Sequence, residues 1–181
     1  LPENRELQII RGSVDHLRAL LQRTRMHTGR VVLNPGDCDV RALFEQIIRE
    51  TPHTDALRIE IDRCDDALLY CDPSHVREAL TNLVGNAVEA MRGSGRITLS
   101  YVRTAHKASV SVCDDGPGMT PAAQKRIFEP YYTTKTSGEN FGLGLYYCQN
   151  VMNVHEGSIR VSSAPGKGCT FTLIFPLAAQ G

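Results

Sequence analysis

The stretch from Asp114 to Phe141 constrains this chain more than any other. Glycine, proline and polar residues run through it, with only one short helical pattern near Pro121 to Ile127. Compact domains seldom hold so long a connection unless it is a working loop. The flanks must therefore supply the core, and they are regular. From Glu6 to Arg25, the residues Leu7, Ile9, Ile10, Val14, Leu17, Leu20 and Leu21 form one helical stripe. Such a helix is marginal alone, so its stripe needs a partner. Gly29 and Asn34-Pro35-Gly36-Asp37 break the pattern and place a linker near residues 28–36. A second helix is expected from Val40 to Arg49, ended by Thr51-Pro52. Leu57–Ile61 and Ala67–Tyr70 alternate as strands. Asp72-Pro73-Ser74 starts a helix that runs to Met91 and is stopped by Gly93-Ser94-Gly95. Arg96–Arg103 and Ala108–Cys113 read as a hairpin. Beyond the long loop come a helix from Gly142 to Val154 and strands at Ser158–Ser162 and Thr170–Phe175. The expected fold class is α/β: a two-layer sandwich, its mixed sheet covered on one face by helices, plus the N-terminal helix.

Charge narrows the function. Lys and Arg number 20, as do Asp and Glu, so the formal net charge is zero and the basic excess usual for nucleic-acid binding is missing. No apolar run reaches the roughly 20 residues that span a bilayer, and Leu1 to Asp15 does not read as a secretory signal. No membrane contact by this stretch is expected, although a longer protein could be anchored. The cysteines 38, 64, 71, 113, 148 and 169 form no CxxC pair. Buried reduced thiols and a cytoplasmic setting are expected.

Four segments carry chemistry, each with a plainer alternative. Asn82 and Asn86 lie four apart on one helical face, and an amide offers oxygen to a hard cation and N–H to phosphate; two helix-packing asparagines are the alternative. Asp114-Asp115-Gly116-Pro117-Gly118-Met119 ends a strand in a carboxylate and glycines, which suits close approach by a flat ligand; an acidic turn would look the same. Phe128 to Lys135 puts aromatics and then a mobile cation in the loop, or simply a surface patch. Gly142-Leu143-Gly144-Leu145 opens a helix whose N–H groups could meet an anion, though short glycine patterns are common.

Taken together and in this order, the four segments resemble the boxes of the GHKL superfamily, and specifically of sensor histidine kinases. Asn82–Asn86 is similar to the N box, Asp114–Gly118 to the G1 box, Phe128–Lys135 to the F box and Gly142–Leu145 to the G2 box. The resemblance covers about Asp37 to Pro176 and leans toward the nitrogen-regulation type. It implies the Bergerat fold, ATP and Mg²⁺ as ligands, and a chain of two parts. Residues 1–30 would be the second helix of a dimerisation hairpin, and residues 31–181 the catalytic domain. It implies that Asn86 holds Mg²⁺ and Asp114 bonds the adenine amino group, while Gly116 and Gly118 admit the nucleotide. Gly142 and Gly144 would line the phosphates, Phe128 would anchor the lid and Lys135 would reach a phosphate. Met119 and Leu143, with Val88, would wall the adenine. Asn82 stands where hydrolysing relatives carry a water-activating Glu. An amide takes no proton near neutral pH, and losing general-base help costs about 10²–10⁴-fold in rate. Transfer to a histidine is therefore expected over hydrolysis. The implied partners are the protein's own dimerisation and phosphotransfer domain in a homodimer and a response-regulator receiver domain. The competing readings are a non-catalytic nucleotide-sensing scaffold and a serine kinase of the same superfamily.

The chain departs from the family pattern at Glu89, where many relatives have Lys, at Asn140-Phe141 before the G2 box, and at Cys169, where Thr is common. Its six histidines are expected to be structural or solvated. Only His155 precedes an acidic residue, and it lies between the G2 helix and a closing strand.

Overall fold

The computed structural model describes residues 33–52, 54–64, 67–133 and 142–177. Strand β1 (Gly36–Asp39) leads into helix α1 (Val40–Glu50), capped by the Asp39 carboxylate accepting the N–H of Ala42. The helix buries Val40, Leu43, Phe44 and Ile47, one stripe at helical spacing. Strands β2 (Leu57–Cys64) and β3 (Leu68–Cys71) follow. Helix α2 (Pro73–Ala90) starts where the Asp72 carboxylate accepts from the N–H groups of Ser74 and His75, and Pro73 fills a position that needs no donor. Strands β4 (Gly95–Arg103) and β5 (Lys107–Asp114) form the expected hairpin. After the four-residue helix α3 (Pro121–Gln124) come helix α4 (Gly144–Val154) and strands β6 (Ser158–Ser163) and β7 (Cys169–Pro176).

The main sheet has the order β2-β4-β5-β7-β6; β2 and β4 run parallel and the other neighbours antiparallel. The last strand, β7, thus lies inside the sheet, between β5 and β6. Alternate residues, among them Ile97, Leu99, Tyr101, Val110, Val112 and Leu173, point into a core shared with Phe44, Leu80, Leu83 and Met152 of the helices. On the opposite face most side chains are polar, and Ser111 and Thr172 share a hydrogen bond of 3.0 Å between strands. The mixed sheet with helices on one face is the architecture expected.

Three details differ from the expectation. Gly36, read as part of the linker, begins β1, which pairs antiparallel with β3 in a separate two-stranded sheet. The helix expected to reach Ile127 gives way to turns after Gln124, and α4 begins at Gly144, two residues later than the glycine pattern implied. The expected N-terminal helix lies outside the described residues, as does most of the linker. No helix among the described residues is long and apolar enough to cross a membrane.

Candidate functional site

β5 runs between β4 and β7, and its last residue, Asp114, is opposite Ile97 on one side and Cys169 on the other. That position buries the carboxylate to 7% exposure. Burial pushes its pKa up; N–H donors from Gly116 and Cys169 oppose the shift, and the neighbouring Asp115 charge adds to it. The Gly116 N–H donates to Oδ1 at 2.9 Å. Asp115 serves a different purpose: its Oδ1 accepts the N–H of Arg96 at 2.9 Å, so it ties the turn to β4.

Two glycines let backbone close around this carboxylate. Gly168 has φ +70° and Gly118 φ +67°; a Cβ on the first would overlap the Asp114 carbonyl oxygen, and one on the second the Ala164 carbonyl oxygen. Ser163 stitches the same loops, accepting the Met119 N–H at 2.8 Å and donating to the Gly168 carbonyl at 2.7 Å. Gln124 donates to the carbonyls of Met119 and Ser163. Met119 and Val88 are half-buried beside the core. Phe128 stands edge-on to Phe171 with centroids 6.5 Å apart, which docks the start of the F box on the sheet. Cys169, in the position where Thr is common, is buried, and burial pushes its thiol up to about 12 with the Asp114 charge adding.

A second cluster forms where α2 meets the start of α4. A Cβ on Gly144 would lie 3.4 Å from Asn82 Oδ1, so the amide packs directly against the first turn of α4. Asn82 Nδ2 is buried without a hydrogen-bond partner. An orphaned buried donor costs about 1–3 kcal/mol, a cost that an arriving acceptor such as a phosphate oxygen would remove. Asn86 sits half-buried one turn further along the same face. α4 has no side-chain cap, and the buried Leu143 occupies its cap position; its leading N–H groups are therefore available to an anion. Gly142 does not belong to the helix. With φ +64° its carbonyl accepts the Tyr131 N–H at 3.1 Å, and it packs on the Tyr132 backbone.

Helix α2 links the two clusters. Asn82 touches Gly144, and Met91, at the other end, lies 3.0 Å from where a Gly116 Cβ would stand. Nine residues separate Asn82 from Met91, about 13 Å at 1.5 Å per residue, a span close to that of a nucleoside triphosphate. Asn86 falls between them. The described residues hold no cluster of three or more His, Cys, Asp or Glu suited to a metal. A cation at Asn86 would take its remaining ligands from phosphates and water, the coordination Mg²⁺ favours.

Lys135, Asn140 and Phe141 lie outside the described residues. Glu89 is exposed on the last turn of α2, and Arg92 after it adopts φ 55°. His155 is held on both ring nitrogens: Nε2 accepts the Asp72 N–H at 3.0 Å and Nδ1 faces the Val151 carbonyl at 2.7 Å. It is part of the fold. One further group, outside the four sequence segments, lies at the site's edge. Tyr147 donates its hydroxyl to Glu78 at 2.6 Å and lies 3.0 Å from His75 Nδ1. A Tyr on a buried helical face was the available signal, since its hydroxyl must find a partner.

Residues 71–179 match the family described as histidine kinase-, DNA gyrase B-, and HSP90-like ATPase. The chain is 37% identical over 147 residues to the signal transduction histidine-protein kinase AtoS of Escherichia coli K12, covering 78% of this chain and 24% of AtoS. It is 29% identical over 181 residues to sporulation kinase B of Bacillus subtilis 168, covering 92% of this chain and 42% of that protein. The chain thus spans less than half the length of these relatives. Among solved structures, full-length ShkA in complex with AMPPNP superposes with a TM-score of 0.80 at 25% identity, over 99% of this chain and 40% of ShkA. The catalytic domain of histidine kinase ThkA superposes at 0.66 with 26% identity, over 80% of this chain and 98% of that domain.

Proposed function

Since the chain belongs to the family of histidine kinase-, DNA gyrase B- and HSP90-like ATPases, we propose that it is the ATP-binding catalytic domain of a two-component sensor histidine kinase. The observation that carries the reading is the placement of α2 between a buried carboxylate and a glycine-led helix start. Asp114 would accept from the adenine amino group, with Val88 and Met119 offering apolar walls; Leu143 stands in the other cluster, at the cap of α4. The uncapped N–H groups of α4 and the orphaned Nδ2 of Asn82 are set to meet phosphate oxygens. Asn86 would hold Mg²⁺, which when bound neutralises charge on the triphosphate. Lys135 and the remaining lid residues would close over the phosphates.

Asn82 decides between hydrolysis and transfer. Its amide cannot take a proton from water, so the pocket orients the terminal phosphate without activating a solvent nucleophile. The acceptor we propose is a histidine on the dimerisation domain of the same protein, acting as a homodimer, with a response-regulator receiver domain next in line. Free thiols at all six cysteines agree with a cytoplasmic setting.

The test is transfer of radiolabel from γ-labelled ATP to a purified dimerisation domain of the nitrogen-regulation type. Mg²⁺-dependent labelling of its histidine is expected. ATP binding without any transfer would instead make the chain a nucleotide-sensing scaffold, and labelling on serine would make it a kinase of another class.

A further inference from the structure

Helices α2 and α4 run antiparallel, and polar contacts join them along their length. Gly144 meets Asn82, Tyr147 meets Glu78 and His75, and His155 accepts from the N–H of Asp72. The registers agree. Gly144 to His155 is eleven residues and Asn82 back to Asp72 is ten, a mismatch of about 1.5 Å. Tyr147 therefore stands one turn from the helix start that faces the proposed phosphates, and Glu78 one turn from Asn82.

The Tyr147 hydroxyl is fully committed. The side chain is 7% exposed; it donates to the Glu78 carboxylate, and its oxygen can take the Nδ1 proton of His75. Burial, then the Glu78 carboxylate, push its ionisation far above the usual tyrosine range, so it remains a donor. Apolar helix faces tolerate small slides, because dispersion contacts are individually weak and non-directional. A charge-assisted hydrogen bond of 2.6 Å does not. The adenine end is remote from this contact: Met91 is thirteen residues beyond Glu78, about 20 Å along the helix.

We propose that Tyr147, with Glu78 and His75, is a positioning set that locks the start of α4 in register with Asn82 and Asn86, and so governs the grip on the phosphates while leaving adenine recognition alone. The inference rests on the nucleotide-site reading above. It makes Tyr147 a positioning residue, acting through the helix start it holds.

The experiment is calorimetry on the whole 181-residue chain with two ligands, AMPPNP plus Mg²⁺ and adenosine. Tyr147→Phe keeps the ring and removes the hydroxyl. AMPPNP affinity is expected to fall roughly tenfold, as for loss of one hydrogen bond to a charged group, with adenosine affinity unchanged. Equal losses for both ligands, or no loss for either, would overturn the proposal. If Tyr147→Phe does not fold, the pair Glu78→Gln and Glu78→Ala replaces it. Gln keeps an acceptor for the hydroxyl and should restore most of the AMPPNP affinity that Ala loses; identical affinities in the two variants overturn the proposal equally. If the unmodified chain binds neither ligand, the nucleotide-site reading itself is wrong.

Discussion

The two clusters joined by the second half of α2 are built by different means. At the Asp114 end, backbone presses on backbone: Gly168 lies against the Asp114 carbonyl and Gly118 against that of Ala164, both at positive φ. At the Asn82 end, side chains and helix register do the placing, through Asn82 on Gly144 and Tyr147 on Glu78. A backbone vise cannot adjust, because no rotamer relieves a clash with a carbonyl. Side-chain contacts hold their register through a few directional bonds, which single substitutions can remove without a backbone clash. Under the proposed nucleotide reading, the first arrangement would face the flat ring and the second the phosphates.

The comparison breaks first under glycine substitution. Gly168→Ala should cost about 4 kcal/mol or more, since a left-handed residue would also have to overlap a carbonyl; chemical denaturation measures it. Gly144→Ala meets nothing closer than 3.4 Å and should change stability by less than about 1 kcal/mol. Similar losses at both glycines would erase the distinction. Next in size is Asp114→Asn, which should weaken ATP and adenosine alike by about 10- to 100-fold, the worth of a hydrogen bond to a charged group. Unchanged calorimetric affinity would remove the carboxylate from adenine recognition. Asn86→Ala should lower ATP affinity about tenfold in the presence of Mg²⁺ and leave adenosine untouched. An equal loss measured in chelator would show that the amide serves something other than the cation.

The smallest effect concerns pH. Burial raises the Asp114 pKa above the ordinary 3.8, so the folded state holds its proton longer than the unfolded one. Stability is then lost as pH rises from about 3.8 through the raised value. Asp114→Asn removes that loss. As pH rises from about 3.8 through the raised value, the gap between variant and parent should move in favour of the variant, and a constant gap in urea melts would contradict the assignment. Asp72 has the opposite sign. Burial works against its charged form, but the N–H groups of Asn34, His75 and Ser74 outweigh it, and its pKa is lowered. Its contribution is present above the ordinary 3.8 and fades as pH falls through the lower folded value.

Much of this was legible locally. Asp72-Pro73-Ser74 marked the start of α2 because capping is decided within four residues. The alternation in β4, β5 and β7 marked strands because one face is buried. β1 escaped notice because Gly36-Asp37-Cys38-Asp39 has little strand propensity and exists through pairing with β3, some thirty residues away. The parallel pairing of β2 with β4 escaped for the same reason, since register across a crossover is not a local property. Asn86, Asp114 and Gly144 were readable as a pattern, but Gly142 and Gly144 look alike in the sequence. The difference between a left-handed hinge residue and the first residue of a helix is set by the Tyr131–Tyr132 backbone packed against Gly142. The Tyr147–Glu78 contact joins residues 69 apart, and only the antiparallel docking of two helices reveals it.

The inner position of β7 bears on the order of synthesis. Asp114 is enclosed by Cys169 and Gly168, which leave the ribosome more than fifty residues after it. Without them, β5 would have no neighbour on that side. A nascent chain should therefore leave Asp114 unenclosed until β7 has been made.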